Sequence, residues 1–181
     1  AEVGVIEPGL NAESVGVVLG KLKEAIGDRW VSNNPVDLVC YCRDFSLTPS
    51  LRPHIVAIPS STEEVQKIVK IANEYKVPIV PLTGGFNHGG LTIPRKGGIL
   101  IDLRKRMDKV LNVDEESMTM TIQPGVMNAT ASAEANKRYA IDDIPLRASI
   151  PLTPGSVSLL SNMVSRGVSA RVNKFGSYLD T

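Results

Sequence analysis

The sequence predicts a mixed α/β fold of the α+β kind, on three observations. In mid-chain, two short apolar runs, HIVAI (54–58) and VPIVPL (77–82), flank a stretch with helical apolar spacing, which reads as a β-α-β unit. Downstream, KVLNVDEESMTMTIQPG (109–125) sets Met118, Met120 and Ile122 against Thr119 and Thr121, the period-2 alternation of an antiparallel hairpin around an acidic turn. With 181 residues and 43% hydrophobic content, the chain has room for one domain with a sizeable core and is short for two.

The elements run in order along the chain. Residues 11–27 place Val15, Val18, Leu19, Leu22 and Ile26 at helical spacing after Asn11 as a candidate cap, and Gly27 suits the stop. NPVDLVCYCRDF (34–45) is a weaker, shorter helical candidate, and LTPSLRP (47–53) reads as an extended connector, so residues 1–53 form a helical lead-in to a main domain over 54–181. After the strand at 54–58, Ser61 and Glu64 make an S-x-x-E capping box, with Val65, Ile68, Val69 and Ala72 on one helical face. The strand at 77–82 completes a unit that the handedness rule makes right-handed. GILIDL (98–103) is a further strand. Helices fit VMNATASAEANKRYA (126–140) and SVSLLSNMVSRG (156–167), and Met118 and Met120 read as core.

Composition excludes several functions. Twenty basic residues nearly cancel nineteen acidic ones, and a formal charge of +1 gives no field to gather nucleic acid or an anionic membrane. No apolar run approaches the roughly 20 residues that cross a bilayer, and AEVGVIEPGL (1–10) lacks the pattern of a signal peptide; the expected location is the cytoplasm. Cys40 and Cys42 form a lone C-x-C, read as buried free thiols and not as a metal site.

PLTGGFNHGGLTIP (81–94) puts four glycines within seven residues at the C-terminal end of the second strand of the parallel unit. Crevices at the carboxyl ends of parallel strands are where α/β sheets hold ligands. The segment is neither G-x-x-x-x-G-K-[ST] nor G-x-G-x-x-G opening a helix, and it leads into a strand. Two readings remain, either a plain connector or a nest of main-chain N–H groups that converge on a phosphate or pyrophosphate. Arg104, Lys105 and Arg106 read as a solvated turn.

From RPHIVAIPSSTEEV to TIQPGV, the chain resembles the FAD-binding domain of the vanillyl-alcohol oxidase and p-cresol methylhydroxylase flavoproteins, closest to the glycolate oxidase and D-lactate dehydrogenase branch. Pro81, Gly85, Gly90 and Pro94 coincide with the family's glycine loop without a gap, Asp102 and Leu103 with its strand ending, and Pro124, Gly125 and Val126 with its P-G-V. Pro154, Ser156, Asn162, Lys174 and Gly176 fall on later family segments. Leu82, Thr83, Phe86, Asn87, Leu160, Ser161, Val168 and Ser169 depart from the pattern, four of them at paired glycines.

The resemblance implies two packed α/β subdomains, the second incomplete over this length, and FAD as cofactor. Its implied contacts are Leu82, Thr83, Gly84, Gly85, Phe86, Asn87, His88, Gly90, Pro154, Ser158 and Asn162. Members with a tethered flavin carry histidine where Phe86 stands, so the FAD is expected to be non-covalent. The implied activity is oxidation of a small 2-hydroxy acid or alcohol, with electrons leaving to a protein partner or other acceptor. The alternatives are a non-catalytic FAD-holding subunit of a larger redox complex, or another FAD enzyme on the same scaffold, such as an enolpyruvyl-sugar reductase. No catalytic base is identifiable, because the family's substrate-binding domain lies outside the stretch that is matched.

Overall fold

The computed structural model describes residues 12–84, 89–137 and 156–160. The chain divides into two compact units, Ala1–Arg106 and Met107–Thr181.

The first unit opens with α1 (Ala12–Ile26), whose Val18, Leu22 and Ile26 recur on one face and are buried. A 3-10 turn (Asp28–Trp30) leads into β1 (Val31–Ser32). In α2 (Pro35–Val39), the Asn34 side chain accepts the Val36 N–H and Pro35 occupies the first turn, where its missing N–H costs nothing. Then come β2 (Ile55–Ala57), α3 (Thr62–Glu74), β3 (Ile79–Leu82) and β4 (Ile99–Asp102). The four strands form one sheet in the order β1-β2-β4-β3, with β1 antiparallel to β2 and the other pairs parallel.

The strand-helix-strand unit predicted from the sequence is present, but its two strands are not neighbours: β4 lies between them. Every residue of β4 is buried: the apolar Ile99, Leu100 and Ile101, as a strand paired on both edges requires, and also the acidic Asp102 that ends it. Its entry is tight. Gly98 has φ +85, and a Cβ there would stand 2.2 Å from the Pro78 carbonyl oxygen. The Gly98 N–H donates to His54 Nδ1 at 2.8 Å, and the Gly98 carbonyl accepts the His54 N–H at 2.9 Å. Sequence reading missed β1, because two residues carry no alternation.

The Ser61 hydroxyl caps α3 by accepting the Glu64 N–H, while Glu64 Oε2 accepts the N–H of Ser60, one residue before the cap. Ile68 and Ala72 are buried and Val65 half-buried, but Val69, expected on that face, is 38% exposed. At the other end Lys76 takes φ +55, and the Val77 N–H returns to the Ala72 carbonyl. Helix α1 packs on α3, β1 and β2, and α2 packs on β2. Leu38 and Tyr41 meet Val56, Leu82 and Leu100 in one apolar cluster.

In the second unit, β5 (Val110–Asp114) and β6 (Thr119–Ile122) form the expected antiparallel hairpin, with a register shift between Val110 and Asn112. Burial along β6 alternates, the threonines exposed and Met120 and Ile122 half-buried. Met118 is 66% exposed in the turn with φ +56, contrary to its reading as core. Asp114 Oδ1 accepts the N–H groups of Glu116 and Ser117 and closes the turn. Then α4 (Asn128–Ala135) buries Ala131 and Ala135, and Met127 bridges to Ser158 in antiparallel fashion. Leu159 and Leu160 are helical, as expected; residues 161–167 of that predicted helix, and 138–140 of the preceding one, lie outside the described residues.

Candidate functional site

The parallel strands β2, β3 and β4 end side by side, at Ala57, Leu82 and Asp102. Leu82 is buried and hands the chain to Thr83 and Gly84, both half-buried, where the glycine segment begins. The Leu103 N–H donates to the Leu82 carbonyl at 2.9 Å, which ties the end of β4 to that departure point.

Asp102 is fully buried at the last position of β4. Its Oδ1 accepts the Arg104 N–H and Nε–H, each at 3.0 Å, and its Oδ2 accepts Arg104 Nη2–H and the Tyr41 hydroxyl, each at 2.9 Å. Lys105 Nζ donates to the Tyr41 oxygen at 3.2 Å. Burial works to raise the Asp102 pKa, but the hydrogen bonds and charge of Arg104 outweigh it and hold the carboxyl below its usual range. Tyr41 is pushed up by burial and by the Asp102 charge, against the pull of Lys105. At ordinary pH the group is therefore an anion between a guanidinium and a neutral phenol.

The run 104–106 is not the solvated turn expected. Arg104 and Lys105 join this network, and Arg106 lies 4.0 Å from the Trp30 ring centre while donating to the Ile58 carbonyl and to Glu64. Arg43 donates Nε–H to Ser50 Oγ at 2.7 Å. Two cavities share Tyr41 as a wall. One of about 70 Å³ is bordered by Arg43, Leu82, Thr92 and Arg104, and one of about 230 Å³ by Trp30, Ser32, Asp37 and Lys105.

Of the residues predicted as contacts, Leu82, Thr83 and Gly84 stand together at the carboxyl edge of the sheet. Gly90 is buried with φ +68, and a Cβ there would stand 2.3 Å from Thr48 Oγ1, so this glycine packs the exit of the segment against the connector at 46–48. Ser158 is buried in the second unit and donates to the Pro124 carbonyl at 3.1 Å. Gly85, Phe86, Asn87, His88, Pro154 and Asn162 lie outside the described residues. Cys42 is buried as expected, whereas Cys40 is exposed: α2 stops at Val39, and the thiol reaches back to the Val36 carbonyl. Sequence reading passed over Tyr41 and Arg43 as site residues and used Asp102 only as a motif match. The available signal was an acidic residue ending an otherwise apolar strand, which must find buried donors.

The family model described as FAD binding domain matches residues 53–180. Glycolate oxidase subunit GlcD of Bacillus subtilis is 41% identical over 85 residues, 46% of this chain and 18% of the relative. An uncharacterized FAD-linked oxidoreductase of Mycobacterium tuberculosis is 34% identical over 140 residues, 75% of this chain and 30% of the relative. Among solved structures, p-cresol methylhydroxylase with substrate bound aligns with a TM-score of 0.78 at 25% identity, covering 91% of this chain and 32% of that one. The isoeugenol complex of 4-ethylphenol oxidase from Gulosibacter chungangensis aligns at 0.76 and 29%, covering 91% and 31%. The chain thus spans from about a fifth to a third of the length of these relatives. The match takes in β2, β3, β4 and the glycine segment between the last two, and on it the chain belongs to the FAD binding domain family.

Proposed function

We propose that this chain is the FAD-holding part of a flavin-dependent oxidoreductase that oxidises a small 2-hydroxy acid or related alcohol and passes electrons to a protein partner or other acceptor. The observation that carries the reading is the position of the glycine segment, which leaves the carboxyl edge of a parallel sheet inside a stretch matched to the FAD binding domain family. The local charge fits an anionic cofactor. Arg104 is matched by Asp102, whereas Arg43 and Lys105 bond only to hydroxyls and have no ion-pair partner among the described residues.

FAD, when bound, supplies acceptance of a hydride from substrate. This chain's residues bind and orient it. The main chain from Thr83 to Gly90 holds the pyrophosphate, while Asp102 and Arg104 fix the strand end beside the first of these residues. The FAD is held without a covalent bond, since Phe86 offers no nucleophile. Leu82, Thr83, Gly84, Gly85, Phe86, Asn87, His88, Gly90, Pro154, Ser158 and Asn162 are the proposed contacts. The cytoplasmic location likewise belongs to this proposal, and no helix among the described residues is long and apolar enough to cross a membrane.

A second reading, a different FAD enzyme on the same scaffold, draws support from alkyldihydroxyacetonephosphate synthase of Dictyostelium discoideum, 38% identical over 89 residues. The test is the visible spectrum of the natively purified protein that carries this chain. Flavin bands that bleach on anaerobic addition of glycolate or D-lactate support the first reading; flavin bands that no 2-hydroxy acid bleaches favour the second. Acid precipitation should leave all the yellow colour in the supernatant, and colour in the pellet would contradict the non-covalent assignment.

A further inference from the structure

We propose that residues 42–51 form a positioning clamp for the glycine segment, with Asp44, Ser46 and Thr48 as positioning residues. The ends of this stretch are tied together: the Leu51 N–H donates to the Cys42 carbonyl at 3.2 Å, and Arg43 Nε–H to Ser50 Oγ at 2.7 Å. It is thus a closed loop held at its neck. Within it, Asp44 Oδ1 accepts the Ser46 N–H at 2.8 Å and Ser46 Oγ accepts the Thr48 N–H at 3.1 Å, a ladder that fixes the backbone at every second residue. The top of the ladder meets the exit of the glycine segment. A Cβ at Gly90 would stand 2.3 Å from Thr48 Oγ1, 3.1 Å from Thr48 Cβ and 3.2 Å from Ser46 Oγ, and Gly90 takes φ +68, so its main chain packs on these hydroxyls with no room for a side chain. Just beyond, the Ile93 N–H returns to the Gly90 carbonyl at 3.3 Å and closes a turn.

Two features set this loop apart from a plain connector. The polar Asp44, Ser46 and Thr48 are half-buried while Phe45 and Leu47 between them are exposed, the reverse of what burial of apolar surface selects. In addition, Asp44 Oδ2 is buried with no hydrogen-bond partner among the described residues, a desolvation cost that brings no stability of its own. Both features follow if the loop is shaped to hold Gly90 in place. A fixed Gly90 sets where the glycine segment rejoins the first unit, and this lowers the ordering cost of binding FAD through main-chain N–H groups. That last step rests on the FAD reading above; the clamp itself does not.

The test takes two measurements on the protein that carries this chain. Amide hydrogen exchange without FAD reads the clamp: Asp44→Ala and Ser46→Ala should each speed exchange of the Ile93 N–H at least about tenfold, while the Ile58 N–H, bonded to the Trp30 carbonyl, exchanges as in the wild type. Asp44→Asn, which keeps the Oδ1 acceptor, should restore the slow exchange, and Leu47→Ala, on the exposed side of the loop, should leave it unchanged. FAD affinity, read by flavin fluorescence, tests the purpose: both alanine variants should weaken binding by about tenfold at wild-type circular dichroism, and Asp44→Asn should bind as the wild type does. Ser46→Ala removes a single neutral acceptor, so it keeps the test open should Asp44→Ala fail to fold. Faster exchange at Ile93 in a protein that binds no FAD would sink the FAD reading and leave the clamp standing. Unchanged exchange at Ile93, or faster exchange at Ile58 as well, overturns the clamp; faster exchange at Ile93 alone with unchanged FAD affinity overturns its role in binding.

Discussion

The two units use opposite means to build a sheet. In the first, β2 and β4 are buried along their whole length, and order comes from long-range contacts: Tyr41 bonds Asp102 across 61 positions, and His54 bonds Gly98 across 44. In the second, neither β5 nor β6 has a fully buried residue, and the pair is organised by a turn that Asp114 closes within three residues. The lesson is that charged groups can be aimed only where the scaffold is packed. Asp102, Arg104 and Tyr41 are joined by hydrogen bonds that tie the buried end of β4 to the segment just after α2 and to the turn that follows β4.

The comparison breaks most visibly at Asp102. Asp102→Ala leaves a half-buried guanidinium and a buried phenol without their acceptor; the expected cost is about 3 kcal/mol, the low end for a broken buried pair because Arg104 keeps some solvent. Thr121→Ala, exposed on the hairpin, should stay within about 0.5 kcal/mol. Urea unfolding of both variants checks this, and equal costs would refute the contrast.

Gly98→Ala comes next. A Cβ meeting the Pro78 carbonyl at 2.2 Å, on a backbone at φ +85, should cost about 2 kcal/mol or more and lower the melting temperature accordingly.

His54 sharpens the picture through pH. Burial lowers its pKa, and its Nδ1 accepts a hydrogen bond that only the neutral ring can take. The stability it contributes is present above the unfolded value of 6.5 and is lost as pH falls through the lower folded value. Stability measured from pH 7 to pH 5 should therefore fall, and His54→Gln should flatten the part of that fall due to this residue.

The smallest effect belongs to the hairpin. Met118 sits at φ +56, so Met118→Gly should raise stability by about 0.5–1 kcal/mol, a gain that a packed methionine would not allow.

Much of the fold was legible because it is written locally. The apolar runs at 54–58, 77–82 and 98–103 contain β2, β3 and β4, the Ser61–Glu64 pair starts α3 within one residue, and the threonine alternation at 119–122 is β6. The illegible part depends on distant partners. The insertion of β4 between β2 and β3 arises from competition among buried edges, and the roles of Arg104, Lys105 and Arg106 from where Asp102, Tyr41 and Trp30 come to rest. Val69 and Cys40 were misplaced for a plainer reason, since a helical face and a helix end are each uncertain by a residue or two.

The central claim is that the main chain of the glycine segment, and not its side chains, holds the FAD pyrophosphate. FAD affinity of the complete protein bearing Gly85→Val, compared with Thr83→Ala and Asn87→Ala, tests it most directly, with circular dichroism to verify folding. Charge-assisted bonds from main-chain N–H groups contribute roughly 1.5–3 kcal/mol each and act together. A Cβ branch at Gly85 should therefore abolish measurable binding, while either alanine variant should weaken it by less than about tenfold, about 1.4 kcal/mol. Normal flavin content in folded Gly85→Val would contradict the account and reduce the glycines to a connector.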